Sequence, residues 1–217
     1  YNVESSDGTQ GSSGFHIFDH TGNEVTSNWF INEEYNYFGN SPDAIYCKDL
    51  NNDGYSARAI EVNVDNIDSV KSFLKISNSE NDLKGVINAV GPPIPLKPLC
   101  DITEDEFKSI LSVDVFGAFN VLKESFLMLS KLGGGSIVQF LTTAVLKTLE
   151  NDGMSGIPKT AIMGIVRQLA REVKDTNVRI NAVAPGVIDA GIVHSSFTAD
   201  KTAQEVIELC LDRTPMP

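Results

Sequence analysis

Asp49, Asn51 and Asp53 alternate ahead of Gly54, the spacing that opens a calcium loop with oxygen ligands at its first, third and fifth positions. Such a loop closes on a bidentate glutamate at its twelfth position. Here that position is Ile60, and Glu61 comes one residue late. The run 58–64 that follows reads as a strand rather than a helix, so a plain turn is expected at 51–54 and no metal centre. The three histidines (His16, His20, His194) and three cysteines (Cys47, Cys100, Cys210) are scattered and contain no Cys-x-x-Cys pair. They give neither a zinc set nor a disulfide framework. What remains for chemistry are polar or small residues at the ends of apolar runs: Asp49, Asp65, Asn88–Gly91, Thr142–Thr143 and Ala184–Gly186. Small residues there let a ligand approach the backbone, although glycine and proline also end strands without any further role.

The runs that would carry these residues alternate with helical patterns. Residues 1–13 are polar and rich in Gly and Ser and read as a flexible tail, leaving 14–217 as one domain. Strands are expected at 15–18, 43–48, 58–64, 85–90, 136–141 and 178–184. The continuous apolar character of 85–90 and 136–141 is that of a parallel sheet covered on both faces. Asp65 or Asn66 is placed to cap a helix whose Ile67, Val70, Phe73 and Leu74 fit a 3.6-residue period. Thr103 and Glu106 form a Thr-x-x-Glu capping box. It precedes a long helix with Phe107, Ile110, Leu111, Phe119, Leu122 and Phe126 on one stripe, ended by three glycines at 133–135. Further helices are expected over 159–173 and 199–211. This alternation predicts a doubly wound α/β fold with a parallel sheet, in which ligands bind beyond the carboxyl ends of the strands.

Composition narrows the function. A net charge of −12 over 217 residues repels phosphate backbones and anionic lipid, so neither nucleic acid nor a membrane surface is an expected partner. No apolar run approaches the roughly 18 residues of a membrane span, no glycosylation sequon occurs and no signal peptide is visible, which makes a cytoplasmic location the expectation.

From about Arg58 to Pro217 the chain resembles the short-chain dehydrogenase/reductase family. Five segments carry the likeness in the family's order: INAVG at 87–91, SVDVFGAF at 112–119, GGGSIVQFLTT at 133–143, KTAIMGIVRQLAREV at 159–173 and VRINAVAPGVIDAGI at 178–192. The resemblance implies a Rossmann-like domain of six strands that lacks the family's last strand, the chain stopping at DRTPMP before it. It implies hydride transfer between NAD or NADP and a small-molecule carbonyl or alcohol, and a homo-oligomer or a subunit of a larger assembly. The cofactor would lie against Thr21, Gly22, Asp49, Asp65, Asn88, Ala89, Gly91, Lys159, Pro185, Gly186 and Val187.

The family's catalytic groups are a Tyr-x-x-x-Lys pair, an upstream serine and an asparagine on the long helix. Lys159 stands at the lysine position, but Ser155 replaces the tyrosine, Thr142 the serine and Asp114 the asparagine. Threonine keeps a hydroxyl. Aspartate keeps the shape of asparagine but adds charge and loses two donors. Serine is far less acidic than a phenol near pKa 10. A related enoyl reductase pattern has its tyrosine seven residues before the lysine, where this chain has Asp152. No intact Thr-Gly-x-x-x-Gly-x-Gly phosphate loop occurs either; Thr21-Gly22 is the better of two remnants. Two readings follow: an oxidoreductase with impaired activity, or a non-catalytic scaffold or binding subunit of the same fold that has lost its cofactor.

Overall fold

The computed structural model describes residues 62–80, 83–92 and 94–187, with Ile60, four two-residue strands before residue 26 and the helical residues 204, 205, 208 and 212. It divides into two units, 62–186 and a second made of 1–61 with 187–217.

The unit 62–186 begins with helix α1 (Ile67–Glu80), whose start is set by Asn66 rather than Asp65. The Asn66 side chain accepts from the N–H groups of Asp68 (3.0 Å) and Ser69 (3.2 Å), satisfying donors that a helix start leaves open. Strand β1 (Gly85–Asn88) follows. Helix α2 (Glu104–Leu111) opens on the expected capping box: Thr103 Oγ1 accepts from Glu106 N–H, and the Thr103 N–H donates to the Glu106 carboxylate at 2.8 Å. Lys97 also bonds that carboxylate, and with the two Thr103 donors it holds Glu106 down at about 2.

The long helix is continuous but not uniform. A π-helical turn, Ser112–Phe116, joins α2 to α3 (Gly117–Lys131). Such wide turns re-aim side chains and recur at functional sites; here it turns Asp114 inward, 3% exposed. Gly117 follows because no side chain fits: a Cβ there would stand 2.7 Å from Val64 Cγ2. At the far end, Gly134 adopts φ 136°, and a Cβ would meet Asn177 backbone oxygen at 2.7 Å.

Strand β2 (Gly135–Phe140), helix α4 (Gly153–Glu172) and strand β3 (Val178–Val183) complete the unit. The three strands form a parallel sheet in the order β1-β2-β3, with Asn88 opposite Gln139 and Phe140 opposite Val183. Helices α3 and α4 cover it through one apolar cluster built from Leu122, Leu129, Ile137, Ile162, Val166 and Ile180. Burying each such side chain contributes about 1.5–3 kcal/mol before entropy is charged against it.

Four expectations are corrected. Helix α4 starts at Gly153, six residues before the expected 159, so Ser155 is helical. In the second unit, Ile17–Phe18 pairs antiparallel with Glu24–Val25 instead of joining a parallel sheet, and Val3–Glu4 pairs likewise with Gln10–Gly11 within the expected tail. Ile60 and Val62–Val64 are not in a strand, although one is expected over 58–64. The expected strand at 43–48 lies outside the described residues, while Gln204, Glu205 and Glu208 are helical within the expected 199–211.

Candidate active site

The carboxyl ends of the three strands, the π-helical turn and the first turns of α4 meet at one place. Asp114 reaches it from the π-helical turn and Lys159 from α4, and Lys159 Nζ donates to Asp114 Oδ1 at 2.7 Å. Both side chains are largely buried, 14% exposed for lysine and 3% for aspartate. Burial pushes the Asp114 carboxyl up from its ordinary value while the Lys159 ammonium opposes the rise. Gly91 lies over the pair: a Cβ at that position would be 3.6 Å from Lys159 Nζ and 3.7 Å from Asp114 Oδ1. A larger side chain at 91 would extend into the space next to the ammonium.

Asn88 does not offer its side chain to this space. Its amide nitrogen donates to Gln139 Oε1 at 2.8 Å, and its oxygen accepts from Val90 N–H at 3.3 Å. Gln139, fully buried, donates in turn to the Phe140 carbonyl. This chain gives each side-chain nitrogen and oxygen of the two buried amides a partner and ties the Val90 backbone to Asn88. Gln139 is a site residue that sequence reading missed. The available signal was an amide in the middle of the apolar strand SIVQFL, which must find a buried partner.

Thr142 follows β2 and caps a short 3-10 turn, Thr143–Val145, by accepting from Ala144 N–H at 3.2 Å. Its own hydroxyl proton is not used in that bond. Thr143 N–H donates to the Pro185 carbonyl at 3.2 Å, which ties the end of β3 to this turn. Among the described residues nothing lies within 4 Å of a Cβ built on Gly186. Asp65 stands at the mouth of α1 and accepts from the Ser112 hydroxyl at 3.3 Å, an exposed contact. Val187 begins the second unit, and Thr21, Gly22 and Asp49 lie outside the described residues.

Ser155 shares the α4 face of Lys159, four residues away, one turn of helix. Asp152 stands three residues earlier, at the N-cap of the same helix. Burial drives the Asp152 carboxyl up to about 6, and the nearby Ser155 hydroxyl only partly offsets this. The sign of the linkage is unusual for an aspartate. From pH 4 to 6 the unfolded chain releases this proton while the folded chain keeps it, so this group's contribution to stability falls as pH rises and is flat above about 6. Asp152→Asn is therefore expected to raise Tm relative to the unaltered chain by about 2–4 °C at pH 7, and by much less at pH 4, allowing for solvent screening of a half-buried group. Paired thermal melts at the two pH values check this; an equal effect at both would refute the raised carboxyl.

Among the described residues no cluster of three or more His, Cys, Asp or Glu side chains is arranged for a metal, and no helix is long and apolar enough to cross a membrane.

The arrangement is a lysine beside a strand-end glycine with a hydroxyl one helical turn away, in an α/β frame. The family model for enoyl-(acyl carrier protein) reductase matches residues 37–216. Dehydrogenase/reductase SDR family member 4 of Rattus norvegicus is 30% identical over 110 residues, which is 51% of this chain and 39% of that protein. A tropinone reductase homolog of Arabidopsis thaliana is 30% identical over 131 residues, 60% of this chain and 48% of that protein. The chain thus spans less than half the length of these curated relatives. Among solved structures, NAD+-bound xylitol dehydrogenase superposes with a TM-score of 0.71 at 22% identity, covering 87% of this chain and 74% of that one. A short-chain dehydrogenase/reductase from Burkholderia xenovorans gives 0.72, covering 80% and 66%. The chain belongs to the short-chain dehydrogenase/reductase family of oxidoreductases, with the family's Rossmann-like α/β fold.

Proposed function

We propose that this chain binds NAD or NADP and transfers hydride to or from a small carbonyl or alcohol, more slowly than relatives that carry the tyrosine. The observation that carries the reading is the buried Lys159 ammonium beside Gly91. Lysine has three donors, and the bond to Asp114 uses one. Two remain for the hydroxyls of a nicotinamide ribose. The glycine leaves room for that sugar, and Gly186 leaves backbone open at the end of β3. The residues present therefore fit the nicotinamide end of a dinucleotide, which supplies the hydride when bound. Thr142 supports a carbonyl oxygen through its unused hydroxyl proton. With Ser155 in place of a phenol, proton transfer is the weak step. The parts of a subunit assembly and a cytoplasmic setting belong to the same reading.

Calorimetric titration with NADH and NADPH tests it. Losing a charged hydrogen bond costs about 1.5–3 kcal/mol, so Lys159→Ala is expected to weaken binding by about tenfold to a hundredfold. Gly91→Val should weaken it through bulk, with Lys159 and its pair left in place. Unchanged affinity in both variants would overturn the assignment.

A further inference from the structure

We propose that Asp114 sets which redox form of the nicotinamide this site holds: by cancelling the Lys159 charge at 2.7 Å, it admits the cationic, oxidised form that a lone ammonium would repel. This rests on the NAD or NADP reading above and concerns only the relative affinity of the two forms.

The pair is held by packed elements on both sides. Asp114 lies in the π-helical turn, and the start of α3 behind it is fixed against the segment before α1. Gly117 lies where a Cβ would stand 2.7 Å from Val64, and the Asn120 amide donates to the Val64 carbonyl at 3.0 Å. Lys159 follows Pro158 and precedes Ile162 by three residues, and both of these are fully buried. The two charged groups therefore stay together rather than parting into water. The other ion pairs among the described residues each leave one partner more than a third exposed, where solvent screens it. In this pair both partners are largely buried, so its charges act on a neighbouring ligand with little screening.

Gly91 decides what a ligand meets. A Cβ built there is 3.6 Å from Lys159 Nζ and 3.7 Å from Asp114 Oδ1. A group in that space is as near the carboxylate oxygen as the ammonium nitrogen, so the two fields nearly cancel. It does not matter which partner holds the shared proton, because the pair sums to zero either way. A nicotinamide ring is cationic when oxidised and neutral when reduced. An uncompensated ammonium beside it penalises the oxidised form and leaves the reduced form almost untouched. The asparagine that the family pattern has at position 114 would keep the shape but cancel no charge. The phosphates and adenosine are common to both forms, so their contributions drop out of the affinity ratio.

Calorimetric titration of the full chain with NADP+ and NADPH, and with NAD+ and NADH, tests this without any turnover. The quantity read is the ratio of the Kd of the oxidised form to that of the reduced form. Asp114→Asn is expected to raise this ratio by about tenfold, the effect of one unmasked charge in a partly buried site. A tenfold change in the ratio moves the potential of the bound two-electron couple by about 30 mV. Lys159→Met leaves the carboxylate alone and should lower the ratio, while Lys159→Met/Asp114→Asn, neutral again, should return it to that of the unaltered chain. If Lys159→Met fails to fold, Asp114→Asn and the neutral double variant carry the comparison. The shift should persist from about 0.1 to about 1 M salt, where the screening length falls from about 10 to about 3 Å. An unchanged ratio in Asp114→Asn with both forms bound, a double variant that matches Asp114→Asn, or a shift that salt abolishes would each overturn the proposal. Failure of the unaltered chain to bind either cofactor in both forms would instead bring down the oxidoreductase reading itself, and this proposal with it.

Discussion

Removing the Lys159 ammonium is expected to lower the unfolding free energy by about 3–5 kcal/mol and Tm by about 10 °C. The reason is the partner it leaves behind. Asp114 is 3% exposed, and with Lys159 truncated its carboxylate loses the one ion pair it makes among the described residues. It then either stays ionised in a poorly solvated place or takes up a proton, and both cost free energy. The pair as a whole contributes much less than this, because taking two charges out of water offsets most of their attraction. The double variant Lys159→Ala/Asp114→Ala should therefore be more stable than Lys159→Ala alone. Urea unfolding of the two single variants and the double variant, read as a cycle, measures this. Additive losses would show that the 2.7 Å contact contributes nothing specific.

Local signals were legible in the sequence. The Thr103/Glu106 box sits where two side chains three residues apart demand it, and β1, β2 and β3 form at the continuous apolar runs. The start of α4 was not legible, because Gly153, Gly156 and Pro158 are poor helix formers. Tertiary packing overrides them: Pro158 is fully buried, and a Cβ built on Gly156 would stand 3.7 Å from the Ala144 carbonyl oxygen. The pairing of Ile17–Phe18 with Glu24–Val25 was misread as a parallel strand, although a turn-rich DHTGN between two apolar stretches is a hairpin signal. In the site, it was the family resemblance that singled out Lys159, Ser155, Thr142 and Asp114. The partnerships did not follow. Asn88 and Gln139 are 51 residues apart, and Asp114 and Lys159 are 45 apart, so neither bond has a local signal.

Ser155→Tyr is the substitution expected to raise activity, and Asp114→Asn decides by how much. A phenol near pKa 10 is a far better acid than a serine hydroxyl, and a free ammonium nearby would improve it further by favouring the phenolate. Lys159 is not free, because its charge is matched by Asp114 at 2.7 Å. Asparagine at 114 keeps the shape, removes the negative charge and restores two donors. Ser155→Tyr alone should therefore raise kcat for benzaldehyde reduction modestly. The double variant Ser155→Tyr/Asp114→Asn should approach the 10²–10⁴-fold that a well-tuned general acid supplies, more than the product of the single effects. NADPH affinity measured in parallel separates lost binding from lost chemistry. If cofactor binds equally well in all variants and the double variant turns over no faster than Ser155→Tyr, then the charge of Asp114 does not govern Lys159, and the residue that limits proton transfer lies elsewhere in the site.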